Sequence, residues 1–271
     1  MTDRERRATR RSLDVKRALT AALRSYSRNK VIRKRLPGDL GGGLVFCSPD
    51  ALLSTWKPGW QSHQALNLFE WARRFVKPGD VVWDVGANQG LFSFAALAAS
   101  GASGRVVAFE PDPFLAGLMY RTRNAQAVES RMDILPIAVA GDTALAEFSV
   151  ATKDRALNHL TTLSGNPHAG GERERITVMT VSLAWLATQM RAPDIVKVDV
   201  EGGELEVLRG AGELLLRSRP TWIIEVAAEN SSAIADILRK ADYRMYDASA
   251  PENSVSVPAW NTLAVPAERR P

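Results

Sequence analysis

The chain is poor in cysteine. Cys47 is the only one in 271 residues, so no disulfide can form within it. Without such a staple, a reducing cytoplasm is the simplest compartment. Long apolar runs are missing as well: none reaches the roughly 18 residues that a membrane-spanning helix needs. The N-terminus is polar and arginine-rich, with no apolar core of a secretory signal. Histidine is scarce (His63, His159 and His168), and no internal repeat is visible. What is present is 45% hydrophobic and 24% charged, an ordinary balance for a soluble globular protein. The length suits one large α/β domain with extensions, or two small domains.

The formal net charge of +5 conceals an asymmetry. Residues 1–36 hold 13 Lys/Arg against three acids, so the segment carries about +10 and the remainder about −5. Residues 1–11 are expected to be disordered. From Ser12 onward, Leu13, Leu19, Ala22, Leu23 and Tyr26 recur at helical spacing among Arg and Lys, which predicts a basic amphipathic helix. Two readings stand side by side. The helix makes a weak contact with a membrane surface, an anionic substrate or nucleic acid, or it is a solubilising arm whose apolar stripe packs on the body. "PGDLGGG" (37–43) is a breaker cluster and marks a boundary. The expected division is a basic arm (1–36), a cap or lid segment (37–80) and a main domain (81–271). "LVFC" (44–47) reads as a short strand and "HQALNLFEWARRF" (63–75) as a helix. Trp60, Gln61 and His63 are expected to contribute to a lid.

Beyond residue 80 the pattern alternates. Strands are expected at 81–85, 106–110, 133–139, 194–199, 221–226, 243–247 and 261–265, and helices near 90–99, 113–126, 203–217 and 231–241. Short apolar strands separated by helices imply an α/β fold with a parallel sheet covered on both faces. "AEFSVA" (146–151) and "RITVMTV" (175–181) read as extra strands. The polar stretch between them is long enough to be functional or disordered.

"VVWDVGANQG" (81–90) is the most informative stretch. A buried strand runs into Asp84, Gly86 and Gly90, and an apolar helix follows. In an open α/β sheet, ligands bind beyond the carboxyl ends of the strands, and glycines let a ligand approach the backbone. The spacing is not the G-x-G-x-x-G of a dinucleotide site, and a carboxylate so near would repel a pyrophosphate. It suits a ligand without phosphates that carries positive charge, such as S-adenosylmethionine. Glu110, closing "VVAFE" twenty residues after Gly90, is placed to accept both ribose hydroxyls.

"DVGANQGLFSFAALA", "AFEPDP" followed by Asn124, "DIVKVDVEGGELEVLRGA" and "WIIEV" together resemble the FkbM family of S-adenosylmethionine-dependent methyltransferases, over roughly residues 59–266. The resemblance implies a class I methyltransferase (Rossmann-like) fold: a seven-stranded, mostly parallel sheet, its last strand antiparallel, with helices on both faces. Many members are O-methyltransferases acting on hydroxyls of natural products or glycans. By the same resemblance Asp84, Gly86 and Gly90 lie around the methionine part of the cofactor, Glu110 holds the ribose, and Asn88 contacts the cofactor through its backbone. One departure is Gln61, near which the family often carries an acid.

Methyl transfer to an alcohol needs an in-line nucleophile and a destination for its proton. Asp199, at the carboxyl end of "DIVKVDVEGGE", is the first candidate for the transfer centre. Glu201 and Glu204 follow at a helix start, where the dipole alone would also favour acids. Lys197, inside an apolar strand, must pair with an acid, and Asp84 and Glu225 are on the strands expected beside it. Asp199, Glu201 and Glu225 can gather a divalent cation, although nothing in the spacing requires one and no metal is expected. His159, in the long polar loop, is a candidate mobile general base. The expected activity is therefore O-methylation of a small-molecule, natural-product or glycan hydroxyl. A nucleic-acid methyltransferase or binding protein using the basic arm is the alternative. Against it, the fourth-strand motif is not of the Asn-Pro-Pro-Tyr type, and the body is acidic.

Overall fold

The computed structural model describes residues 18–161 and 170–270. The expected disorder of residues 1–11, the start of the arm helix at Ser12, and His168 lie outside them.

The arm helix, α1, is described over residues 18–27. Its apolar stripe does not pack on the body as one reading expected: Leu19 is 65% exposed and Leu23 is exposed too. Only its end is tied down. Tyr26 stacks on Trp56 at 6.0 Å, and the Trp56 indole donates to Ser27 Oγ at 2.8 Å. Next, β1 (Ile32–Arg35) and β2 (Leu44–Cys47) form an antiparallel pair. The glycine-rich stretch 37–43 is thus the turn of a hairpin, and the boundary expected at residue 36 falls inside it. Left-handed backbone at Gly41 and Gly42, φ +81° and +60°, makes that reversal possible.

The rest of the chain runs α2 (His63–Phe75), β3 (Val81–Val85), α3 (Leu91–Ala99), β4 (Arg105–Phe109), α4 (Pro113–Gln126), β5 (Met132–Leu135) and β6 (Ala138–Val139). It continues through β7 (Ala144–Ala151), β8 (His159–Leu160), β9 (Glu172–Val181), α5 (Leu183–Gln189), β10 (Ile195–Val198) and α6 (Glu204–Arg209). It closes with β11 (Thr221–Glu225), α7 (Ser231–Lys240), β12 (Tyr243–Asp247), β13 (Ala250–Val255) and β14 (Asn261–Pro266).

The main sheet has the order β13-β12-β14-β11-β10-β3-β4-β5. β3, β4, β5, β10 and β11 are parallel, and β14 enters antiparallel between β11 and β12. This is the class I methyltransferase arrangement, with one strand more than expected. The addition is β13, an outer strand hairpinned to β12, whose largely exposed residues carry no apolar alternation. Central strands are buried on both faces, which explains why β3 reads as a continuous apolar run. Val82 packs under α2, α3 and α4, while Val81, Trp83 and Val85 pack under α5, α6 and α7. Each such burial contributes about 1.5–3 kcal/mol.

Two expected elements are broken. The strand at 133–139 stops at Pro136, which has no N–H for a ladder. β5 stays in the main sheet and β6 joins a second sheet of order β6-β9-β7-β8, which contains both extra strands. The helix at 203–217 ends at Arg209. Gly210 packs so closely that a Cβ would lie 2.4 Å from the Ala140 carbonyl oxygen, and Gly212 is left-handed at φ +48°. No helix among the described residues is long and apolar enough to cross a membrane.

Candidate active site

β3 leads by way of α3 to β4 on one side, while its other neighbour, β10, arrives much later in the chain. The crevice at the carboxyl ends of β3 and β10 is therefore the switch point of the sheet, where open α/β folds bind ligands. Gly86 and Asp199 meet there. Gly86 has φ +74°, and a Cβ on it would lie 1.8 Å from the Asp199 carbonyl oxygen, so no side chain fits. Asn88 is also left-handed, at φ +55°, a conformation Asn tolerates better than most residues. That turn aims its N–H at Glu110 Oε2, at 2.8 Å, and the Asp112 N–H donates to Oε1 at 2.8 Å. Burial, and then the neighbouring Asp112, push the Glu110 carboxyl up to about 8. Gly86, Asn88, Glu110, His159, Asp199 and Glu201 all line one cavity. Gly90 does not. It is the N-cap of α3, at φ +81°, pressed against Met119 and Phe94.

Asp84 lies beneath this crevice and is fully buried. Its Oδ1 is 3.3 Å from Lys197 Nζ, and Ser93 Oγ donates to its other oxygen. The positive charge it faces is thus Lys197. The same ammonium lies 3.3 Å from Asp199 Oδ2 and donates to the Gly86 carbonyl at 3.1 Å. Burial works against the Lys197 charge, but the Asp199 and Asp84 carboxylates outweigh it and hold the group protonated. The expected ion pair forms with Asp84; the second acid is Asp199, just past the end of β10, and no ion pair joins Lys197 to Glu225.

Asp199 follows β10, and Glu201 sits two residues on, in a left-handed turn at φ +55° that is costly for a glutamate and characteristic of constrained sites. Carboxylate oxygens of Asp199, Glu201 and Glu225 lie within 4.8 Å of one another. Burial, and then Asp199, push Glu225 up to about 8. Asp199 also borders a second cavity, of about 320 Å3, on the side away from Glu110. Gln64, rather than the expected Gln61 or His63, lines both cavities. Trp60 and Gln61 instead hydrogen-bond the backbone of Arg35 and Pro58.

His159 is not in a mobile loop. It is buried in β8, opposite Ser149 of β7, and its Nδ1 lies 3.1 Å from the Leu157 carbonyl oxygen. The segment leading to it is anchored by Arg155, which sequence reasoning missed. Arg155 is buried, ion-paired with Asp50 (3.0 Å) and Asp112, and hydrogen-bonded to Asn29 at 2.9 Å. Asn158 donates to the same Asp112 at 2.8 Å. An arginine in a polar stretch looks solvated until its distant partners are known. The one available signal was "PDP", whose aspartate caps α4 and so fixes Asp112 beside Glu110.

Among known proteins, the chain is 31% identical over 151 residues to the hexuronic acid methyltransferase AglP of Haloferax volcanii. The match covers 55% of this chain and 56% of that protein, so the chain spans about half the length of the curated relative it matches. Among solved structures it is similar to a methyltransferase FkbM from Methylobacillus flagellatus KT, at 18% identity and a TM-score of 0.47, covering 71% of this chain and 44% of that one. It is also similar to a SAM-dependent O-methyltransferase from Thermotoga maritima, at 15% identity and a TM-score of 0.45, covering 84% and 74%. The model of the methyltransferase FkbM domain matches residues 84–245, more than half of the chain, from the buried Asp84 to the middle of β12. The protein belongs to the FkbM family of methyltransferases.

Proposed function

We propose that the chain transfers a methyl group from S-adenosylmethionine to a hydroxyl of a small molecule, natural product or glycan. The observation that carries this reading is the cavity that both Glu110 and Asp199 line. Glu110 is buried, its carboxyl is pushed up to about 8, and it accepts one backbone N–H on each oxygen, from Asn88 and Asp112. A carboxylate so placed fits a pair of vicinal hydroxyls, each donating one hydrogen bond. The cofactor supplies a methyl group on a positively charged sulfur.

The residues of this chain do the rest. Glu110 and the Asn88 backbone hold the nucleoside end, and the bare Gly86 keeps the loop against β10. Asp199 accepts a hydrogen bond from the acceptor hydroxyl and orients its oxygen for in-line attack, where positioning dominates the rate. Glu201 and His159 line the same cavity and help to exclude water from it. With the cofactor bound, the acceptor oxygen would take its methyl group and leave the demethylated cofactor, and a carboxylate of this acidic centre would accept the hydroxyl proton. In this reading residues 81–271 are the methyltransferase domain, 37–80 the cap and 1–36 the basic arm. Calorimetry on dialysed protein tests it. S-adenosylmethionine and its demethylated product are expected to bind at about micromolar levels. Binding of NAD, with none of S-adenosylmethionine, overturns it.

A further inference from the structure

Neither Glu110 nor Asn88 lines the second cavity. Its walls come from three places. One face of α2 supplies Gln64, Asn67, Leu68 and Trp71, spaced i, i+3, i+4, i+7. The ends of β10 and β11 supply Asp199 and Glu225, and the entry to β14 supplies Trp260 and Asn261. At about 320 Å3 it falls at the lower end of the ~300–1,000 Å3 range in which small ligands are held. Gln64 and Asp199 line it and the Glu110 cavity alike, so a group bound here reaches the transfer point.

Its chemistry is specific. Trp260 is 61% exposed, an unusual state for a tryptophan, yet it is fixed. Its carbonyl accepts the Val226 N–H at 2.7 Å, and its side chain hydrogen-bonds Glu225. Three carboxamides, Gln64, Asn67 and Asn261, offer both donors and acceptors, and two carboxylates offer acceptors. The only cation lining the cavity, among the described residues, is Lys197. An ammonium has three donors, and those of Lys197 face Asp84, Asp199 and the Gly86 carbonyl. Among the described residues that line the cavity, no positive charge is left for an anionic ligand, and an unpaired charge at such a site is costly.

We propose that this cavity is the acceptor subsite, and that it takes a neutral, polyhydroxylated ring, a sugar or cyclitol residue, packed against Trp260. The C–H face of such a ring lies on the indole, and its hydroxyl edge meets the carboxamides and Glu225. This deepens the methyltransferase reading and rests on it. It also sets the chain apart from a relative named for hexuronic acid, whose carboxylate has no partner here.

The test is saturation-transfer NMR on the full chain with the demethylated cofactor present. The probes are methyl glycosides of neutral hexoses and deoxyhexoses, with methyl glucuronide as the charged comparison and catechol as the flat one. At least one neutral glycoside is expected to bind. Trp260→Ala and Asn67→Ala each weaken it by about tenfold, while Trp260→Phe retains it. Methyl glucuronide and catechol bind more weakly by a similar factor. Cofactor affinity and melting temperature, measured on every variant, stay at wild-type values. The proposal is overturned if no neutral glycoside binds, if binding survives both alanine variants, or if glucuronide or catechol binds best. Loss of cofactor binding in the wild type would instead defeat the methyltransferase reading itself.

Discussion

The two cavities that meet at Asp199 are built differently. On the Glu110 side, two strand ends close in sequence supply a bare glycine, a left-handed asparagine and a carboxylate fixed by two N–H groups, and the second sheet and the turn after β10 supply much of the rest of the lining. The Trp260 side is assembled from α2, β10, β11 and the entry to β14, and uses side chains throughout. In the proposed reading, the cofactor side rests on a turn whose geometry leaves few choices, and the acceptor side rests on side chains drawn from four separate elements. The difference predicts which functions separate when residues are changed.

Asp199 belongs to both sides, so its replacement is the hardest test of the comparison. Asp199→Asn keeps the shape but halves the carboxylates around Lys197. With any acceptor found, the methylation rate is expected to fall by about 10²–10⁴-fold, the scale of a lost general base or its equivalent. Cofactor affinity, read by calorimetry, changes by less than about tenfold. Turnover at the wild-type rate would move the transfer centre away from Asp199.

Lys197 is where the two sides share a foundation. Lys197→Met leaves Asp84 and Asp199 without their cation, and breaking a buried pair of this kind costs about 3–5 kcal/mol. Urea unfolding followed by circular dichroism reads that loss directly. A change below about 1 kcal/mol would mean that neither carboxylate depends on the ammonium.

The smallest expected effect sharpens the Glu110 side alone. Glu110→Gln removes the charge assistance offered to the ribose hydroxyls and weakens cofactor binding by about 1–3 kcal/mol, with binding to the Trp260 side unchanged. It also changes the pH response of the unliganded protein. The Glu110 carboxyl is raised from 4.5 to about 8, so the folded chain holds a proton that the unfolded chain releases. The stability this group contributes is complete below 4.5 and is lost as the pH rises through about 8. The wild-type melting temperature therefore declines over that window, and Glu110→Gln makes the decline shallower. It does not abolish it, because Glu225 is raised to about 8 as well. An identical decline in the variant would show that Glu110 is ionised in the folded chain.

The same asymmetry decides what could be read from the chain. β3 and the turn after it were legible because burial on both faces forces an apolar run, and the turn forces glycines. Glu110 was legible from its distance to that turn. Asp84 was found together with its partner: Lys197 was expected to pair with an acid on a neighbouring strand, and a strand pairing across 113 residues brings it to Asp84, with Asp199 rather than Glu225 as the second acid. His159 was singled out but read as mobile, because a two-residue strand carries no periodicity. Trp260, Asn67 and the Arg155 cluster were not legible at all. Their meaning depends on which remote side chains face them, and only tertiary packing determines that. The stretch 37–43 shows a related limit: glycines mark a turn without saying whether its arms separate or pair, and here β1 and β2 pair.

The contact between Gly86 and the Asp199 carbonyl has a mechanical side. It locks the ends of β3 and β10 together with no room for a single methyl group, so neither can shift without the other. The floor that the two cavities share is therefore a fixed reference, and any adjustment to an occupant of the second cavity falls on the α2 face and the approach to β14 that line it.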